Sequence, residues 1–477
     1  MKKQTVVLFP SPGMGHLMTM VELGKLLHLR HGISITILVA KPPISFGNSA
    51  AYMKSVADSG LDFTFTELGP VDFKVEEVDC QSHDVLLFEF LHACRGRVEE
   101  ALQDISRDCF VKAIILDCFC FTSMEVAASL GIPAYFYYIS NAGALALLLY
   151  LNALSHQYDV ASARAEDKLV HVPGIPPFPP SGLPHTLRFH VGSYEWFLKV
   201  SSQFARAKGI IINTFDALHP HTLRALADGL CVPDGPNPLV YAIGPLVAPA
   251  EEVPRPPDCL RWLDSQPDNA VVFLCFGSLG LHSAVQLREM ALGLERSGRR
   301  FLWVVRNPTA ESKQALVPVD PDLDVLLPEG FLQRTSDRGM VVKTWAPQAR
   351  VLNHAAVGGF VTHCGWNSAL ESISAGVPMI AWPLYAEQPI NRVMLVLDMG
   401  VAVSVKEDRD GLVSAAEVER CVRLLLDSEE EGARLRERVK AAKDAGVAAL
   451  KEGGSSLANL ARLVDSWNGP AGAKEGG

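Results

Sequence analysis

Paired cysteines at metal-ligand spacing, blocks of basic residues and an unbroken membrane-length apolar run are all missing from this 477-residue chain. Its ten cysteines, at 80, 94, 109, 118, 120, 231, 259, 275, 364 and 421, include no Cys-x-x-Cys and build no small-domain framework. That excludes a disulfide scaffold and makes a reducing compartment, the cytoplasm, the expected location. With 43 Lys and Arg against 53 Asp and Glu, the formal charge is -10. Such a surface repels nucleic acid and anionic membranes, so neither is an expected partner. The stretch Gly131 to Leu154 is uncharged, but Ser140, Asn141 and Gly143 interrupt it. A buried strand, a turn and a core helix fit it better than a membrane span. Few apolar residues follow Gln4 before Pro10, Pro12 and Gly13, too few for a signal peptide.

What is present is an ordinary soluble composition, 48% hydrophobic and 20% charged. The chain is longer than one core can serve, so roughly two domains of 200 or more residues are expected. Apolar runs of strand length occur at Thr5 to Phe9, Ser34 to Val39, Ala113 to Leu116, Ala134 to Tyr138 and Gly209 to Asn213. Helices are predicted from about Gly15 to Arg30 and after Thr122. Pro245 to Pro257, with Glu251 and Glu252, reads as an interdomain linker. Strands restart at Ala270 to Phe276, Phe301 to Val305, Val341 to Lys343, Gly358 to Val361 and Met379 to Ala381. This alternation predicts two doubly wound α/β domains with parallel sheets. Asp320-Pro321-Asp322 has the form of an acidic metal pair, but it sits in the Pro-rich loop Pro308 to Pro328 and reads as a solvated turn.

The densest chemistry lies between Trp345 and Gln388. There the strand Gly358 to Thr362 runs into His363-Cys364-Gly365-Trp366-Asn367-Ser368 and then a helix carrying Glu371. Strand, polar turn and helix start form an anion site, because the free N–H groups and positive dipole end favour a phosphate. Glu371, read as projecting from the opening turn, could accept the hydroxyls of a ribose or be a solvated, helix-capping carboxylate. Glu387 and Gln388 follow the next strand, at the sheet end where α/β proteins bind ligands, and suit the hydroxyls of a hexose. Trp345 offers a flat face and Gln348 an amide to a base, although Trp345 could equally be a core aromatic; Trp382 reads as core. His363 beside Cys364 lacks further ligands at zinc spacing, so no metal is expected.

This segment resembles the signature of plant family-one UDP-dependent glycosyltransferases. The resemblance implies a GT-B fold, two Rossmann-like domains facing each other across a cleft. It places an acceptor-binding domain at 1–244, the linker at 245–257, a UDP-sugar domain at 258–454 and a last helix at 455–468 returning to the first domain. The tail 469–477 is expected to be disordered on composition. Trp345 and Gln348 would hold uracil, Glu371 the ribose, and His363, Gly365, Asn367 and Ser368 the diphosphate. Trp366, Glu387 and Gln388 would face the sugar. Many relatives have Asp at the position of Glu387. Trp366, where a glucuronate user would carry Arg, and Gln388, where a galactose user would carry His, make UDP-glucose the expected donor.

Pro10-Ser11-Pro12-Gly13-Met14-Gly15-His16 ends the first strand, and Gly13 and Gly15 imitate a dinucleotide fingerprint. Its third glycine is Met18 and the second strand ends without an acidic residue, which argues against an NAD-dependent oxidoreductase. His16 can take a proton near neutral pH, and Asp117, ending a later strand, can fix its tautomer. The bland readings are a helix-opening histidine and an N-cap aspartate. The resemblance matches both to a general base and its partner. The expected reaction is an inverting, metal-independent glucosyl transfer needing no cofactor beyond the donor, carried out by a monomer. Ser278, in Phe276-Gly277-Ser278, would add a hydroxyl to the phosphates, or is a plain turn serine. A small phenolic acceptor of flavonoid or chalcone type is expected against Phe119, Phe121, Tyr138, Ser140 and the aromatic stretch Pro173 to Trp196. Other lipophilic acceptors and C-, N- or S-glycosides stay open. A non-catalytic UDP-sugar sensor is disfavoured because His16 and Asp117 are both present.

Overall fold

The structure, a computed structural model, describes residues 2–43, 49–75, 78, 82–157, 169–188, 192–233, 235–248, 257–308 and 320–467. Glu251 and Glu252 of the expected linker and the tail 469–477 lie outside these residues. The chain divides into two compact units, Met1–Leu246 with Ala448–Gly477, and Val247–Val447.

In the first unit the apolar runs form β1 (Lys3–Phe9), β2 (Ser34–Val39), β3 (Phe63–Glu67), β4 (Cys109–Asp117), β5 (Ala134–Tyr138), β6 (Gly209–Ile212) and β7 (Leu239–Ala242). They make one parallel sheet in the order β3-β2-β1-β4-β5-β6-β7. Central strands such as β1 and β6 are buried on both faces, so their sequences read as continuous rather than alternating apolar runs. The stretch 131–154 resolves into β5, a turn and the buried start of the helix Ala142–Gln157. Asn141 caps that helix by accepting the Ala144 N–H at 2.9 Å. The helix Ser455–Ser466 packs on this sheet. Asn459 donates to the Ala242 carbonyl at 3.0 Å, the Tyr135 and Ser466 hydroxyls lie 2.8 Å apart, and Leu460 and Leu463 join the core of Val6, Leu8 and Ile115.

The second unit repeats the design with β8 (Val271–Cys275), β9 (Arg300–Val305), β10 (Gly339–Lys343), β11 (Val357–Thr362), β12 (Met379–Ala381) and β13 (Ala402–Ser404). Its parallel order is β10-β9-β8-β11-β12-β13. Leu274, Phe301, Trp303 and Val361 are central to its core.

Both orders place the first strand beside the fourth, so the chain winds outward in opposite directions from the β1/β4 and β8/β11 pairs. Between such strands a crevice opens at the carboxyl ends, where α/β sheets take ligands. Register aligns those ends, with Phe9 opposite Leu116 and Cys275 opposite Thr362. Among the described residues no helix is long and apolar enough to cross a membrane.

Candidate active site

Gly13, at φ 126°, turns the chain from β1 into the helix Met14–His31 and puts His16 on its opening turn. Asp117 ends β4 next door. His16 Nδ1 therefore lies 2.7 Å from Asp117 Oδ2. The other carboxylate oxygen accepts the Phe119 N–H at 3.1 Å and caps the short turn Cys118–Cys120, so Asp117 is both an N-cap and a histidine partner. Its side chain is fully buried and paired. An ionised carboxylate can only accept, which puts the ring proton on Nδ1 and makes Nε2 the basic nitrogen.

Aromatic rings continue from the imidazole. Phe119 meets His16 edge-on at 5.8 Å and Phe88 in a tilted contact at 4.8 Å, and Phe88 stacks on Trp196 at 5.3 Å with planes 6° apart. Phe88, on the helix His83–Ala93, was not singled out from the sequence; the nearly continuous apolar run Val85 to Leu91 gave no sign of which ring would meet the site. Phe121 is 4% exposed and packs edge-on behind Phe88 and Trp196. It supports this wall and presents little of its own surface. Tyr138 is half-buried, whereas Ser140 is buried.

In the second unit the helix after the polar turn begins at Trp366. Glu371 is thus in its second turn, a correction to the opening-turn placement; the helix dipole acts chiefly on the first turn. Its carboxylate is held by Gln348, whose Nε2 donates to Glu371 Oε2 at 2.8 Å and to the Ser368 hydroxyl at 2.9 Å. Burial pushes the Glu371 carboxyl up and the Gln348 bond partly opposes this. Trp345, beside this cluster in the chain, is 67% exposed, a ring face open to stacking rather than a core aromatic. Trp382 is 3% exposed and meets Phe276 edge-on at 5.7 Å.

His363 is buried, which pushes its imidazole down to about 4, so it is uncharged at neutral pH. Its Nδ1 has no hydrogen-bond partner among the described residues. Two glycines make room for the ring. A Cβ on Gly277, at φ 72°, would come within 2.8 Å of it, and one on Gly365 within 2.5 Å. Asn367 is half-buried, Ser368 is 9% exposed, and Ser278 is exposed. Trp366 is only 2% exposed, so little of its ring is available to a sugar. Gln388 is equally buried and spends its side-chain oxygen on the N–H groups of Leu384 (2.8 Å) and Tyr385 (2.9 Å), shaping the loop that carries Glu387. Asn391, also not singled out from the sequence, donates to the Cys364 carbonyl at 2.9 Å and Glu387 Oε1 at 3.3 Å. It ties the loop after β12 to the turn after β11.

Thr344, Cys364 and Ala386 adopt φ of 69°, 67° and 50°, each immediately before Trp345, Gly365 and Glu387. Non-glycine residues rarely accept such backbone; a fourth, Asn269 at φ 54°, stands ahead of β8 at the other end of the sheet. Among the described residues no group of His, Cys, Asp and Glu could hold a metal ion. Asp320 accepts the Thr344 hydroxyl at 3.0 Å and Asp322 caps the turn Leu323–Leu326.

Residues 219–435 match the family model described as "UDP-glucoronosyl and UDP-glucosyl transferase". The chain is 44% identical to an anthocyanidin 5,3-O-glucosyltransferase of a Rosa hybrid cultivar, over 97% of this chain and 98% of the other. It is also 44% identical to a phloretin 2'-O-glucosyltransferase of Pyrus communis, over 97% and 99%. Phytolacca americana UGT2, solved with UDP-2fluoro-glucose and pterostilbene, superposes with a TM-score of 0.86 at 35% identity, covering 98% of this chain and 100% of that one.

Two doubly wound parallel sheets of this kind, with solved relatives of the same architecture, define a GT-B glycosyltransferase. The chain belongs to the plant family-one UDP-glycosyltransferases, and its activity is transfer from a UDP-sugar.

Proposed function

We propose that this enzyme transfers glucose from UDP-glucose to a hydroxyl of a small phenolic acceptor of flavonoid or chalcone type, with inversion and without a metal. The observation that carries the reading is the His16–Asp117 bond at the switch point of the first sheet. His16 Nε2 takes the acceptor's proton while the oxygen attacks the anomeric carbon. The bond from that carbon to the UDP oxygen breaks, and UDP leaves with the electron pair. Asp117 stabilises the imidazolium formed, as a buried carboxylate does in other histidine-base enzymes.

In the second unit Trp345 stacks on uracil, Gln348 reads its edge and Glu371 accepts the ribose hydroxyls. The helix start at Trp366–Ser368, with His363 Nδ1 and Ser278, takes the diphosphate. Glu387 holds the glucose, on a loop whose shape Gln388 fixes. Phe119, backed by Phe88, Phe121 and Trp196, gives a planar phenol an apolar wall beside the base, with Tyr138 and Ser140 at its margin. Relatives named for anthocyanidin and phloretin support this acceptor class. Among the described residues no cysteine is in a disulfide, which suits a protein working in the reducing cytoplasm.

The test is incubation with UDP-glucose and a panel of flavonoids, chalcones and simple phenols, following UDP release and the anomeric configuration of the product by NMR. UDP release that depends on a phenolic acceptor, with a β-glucoside formed, is expected. An α-glucoside, or UDP release indifferent to every acceptor, contradicts the proposal.

A further inference from the structure

Charge at the donor site does not balance. A nucleoside diphosphate brings about two negative charges and would enter beside the carboxylates of Glu371 and Glu387. His363 offers no cation at neutral pH, because burial keeps its imidazole neutral. Gln348, Asn367, Ser368 and Gln388 are uncharged. The helix start supplies the equivalent of about half a positive charge, and Arg392 is near enough to act on the Cys364 thiol, less than burial does, which still leaves part of the diphosphate charge to be met.

Arg306 follows β9 directly, and β9 lies beside β8 in the sheet, with Trp303 opposite Leu274. Its guanidinium Nη1 donates to the carbonyl of Ser278, in the turn that leaves β8. That turn continues through Gly277, whose backbone is close enough to His363 to exclude a Cβ, and His363 lies 6.1 Å from the Tyr385 ring. Arg306 is therefore contiguous with the turn, the imidazole and the sugar loop. Burial chiefly raises the Cys275 thiol and the Tyr385 hydroxyl; Glu371 adds to the first and Glu387 to the second, and the Arg306 charge opposes both more weakly. With Cys275, Gly277, Gly280 and His282 Arg306 lines a small recess.

We infer that Arg306 is a further donor-site residue, whose guanidinium braces the Ser278 turn with one N–H and meets the diphosphate with the others. A guanidinium has five N–H donors in a planar fork, so the bond to Ser278 leaves capacity for phosphate oxygens. Charge grows on the UDP oxygens as the bond to the anomeric carbon breaks, so Arg306 favours the transition state over the bound donor.

This inference rests on the UDP-sugar reading of the site, and calorimetry separates the two. Wild type, Arg306→Gln and Arg306→Lys are titrated with UDP and, by competition, with uridine. Arg306→Gln is expected to lose about tenfold to one hundredfold in UDP affinity, the range for a charge-assisted bond. Its uridine affinity stays at the wild-type level, Arg306→Lys falls between, and kcat drops in the same order. Loss of uridine affinity equal to the loss of UDP affinity, or UDP affinity unchanged in Arg306→Gln, overturns the role of Arg306. Failure of the wild type to bind UDP overturns the underlying reading instead.

Discussion

Asp117 and His16 are joined by a 2.7 Å contact between Oδ2 and Nδ1, although 101 residues separate them in sequence. The sheet order produces it, since β1 and β4 are neighbours, Asp117 ends β4 and His16 opens the helix that follows β1. Asp117→Asn keeps the shape of the side chain but removes the charge that stabilises an imidazolium. Its amide can present an N–H towards Nδ1, favouring the wrong tautomer. Steady-state kinetics are expected to show kcat lower by about 10²–10⁴-fold, with the UDP affinity of the second unit unaltered. A kcat within twofold of wild type contradicts the partnership.

Glu371 is a carboxylate that folding penalises. Its folded pKa is raised, so the ionised form costs stability at neutral pH, and the cost fades as pH falls through that raised value. Glu371→Gln retains an acceptor for Gln348 and removes the buried charge. The unliganded variant is expected to melt higher than wild type at pH 7.5, with the gain shrinking in acid, yet to bind UDP at least about tenfold more weakly. Stability traded against donor binding is the signature; a variant that melts lower and binds UDP normally contradicts it.

His363 has the opposite linkage. Its folded pKa, about 4, lies below the usual 6.5, so the unfolded chain binds the proton first and stability is lost as pH falls from 6.5 towards 4. A shift of that size corresponds to about 3 kcal/mol once the fall is complete. Urea unfolding of wild type and His363→Asn at pH 7.5 and 4.5 checks this. The wild type is expected to lose more stability between the two pH values than the variant; parallel losses contradict it.

Gly277 sits at φ 72°, and a methyl group there would come within 2.8 Å of the His363 ring. Gly277→Ala adds backbone strain of about 1–2 kcal/mol and displaces the imidazole or the turn. UDP affinity is expected to fall at least tenfold by calorimetry while the variant stays folded by circular dichroism. Undiminished UDP binding contradicts the packing described for this turn.

Much of this was legible in the sequence because buried parallel strands are written as apolar runs. The bounds of β2, β5 and β12 agree with those runs to the residue. β3 was missed because it is a sheet edge, with Phe63, Phe65 and Thr66 half-buried and Thr64 and Glu67 exposed, so its residues carry no clear burial pattern. β7 and β13 are short edge strands, and β4 begins at Cys109, ahead of its apolar centre. At the site, a contiguous motif exposed the segment from Trp345 to Gln388. Phe88, Arg306 and Asn391 escaped because their relevance comes from strand adjacency and helix packing, which no local spacing encodes. Glu371 was displaced by one helical turn because the boundary of that helix falls inside the polar turn, where periodicity is silent.

The most direct test of the account compares His16→Ala with wild type in two assays on the same preparations, glucosyl transfer to a phenol and calorimetric UDP binding. Transfer is expected to fall by about 10²–10⁴-fold while UDP affinity stays within twofold. Undiminished transfer, or transfer and UDP binding lost together in a folded variant, would contradict the assignment of the base to one unit and the donor to the other.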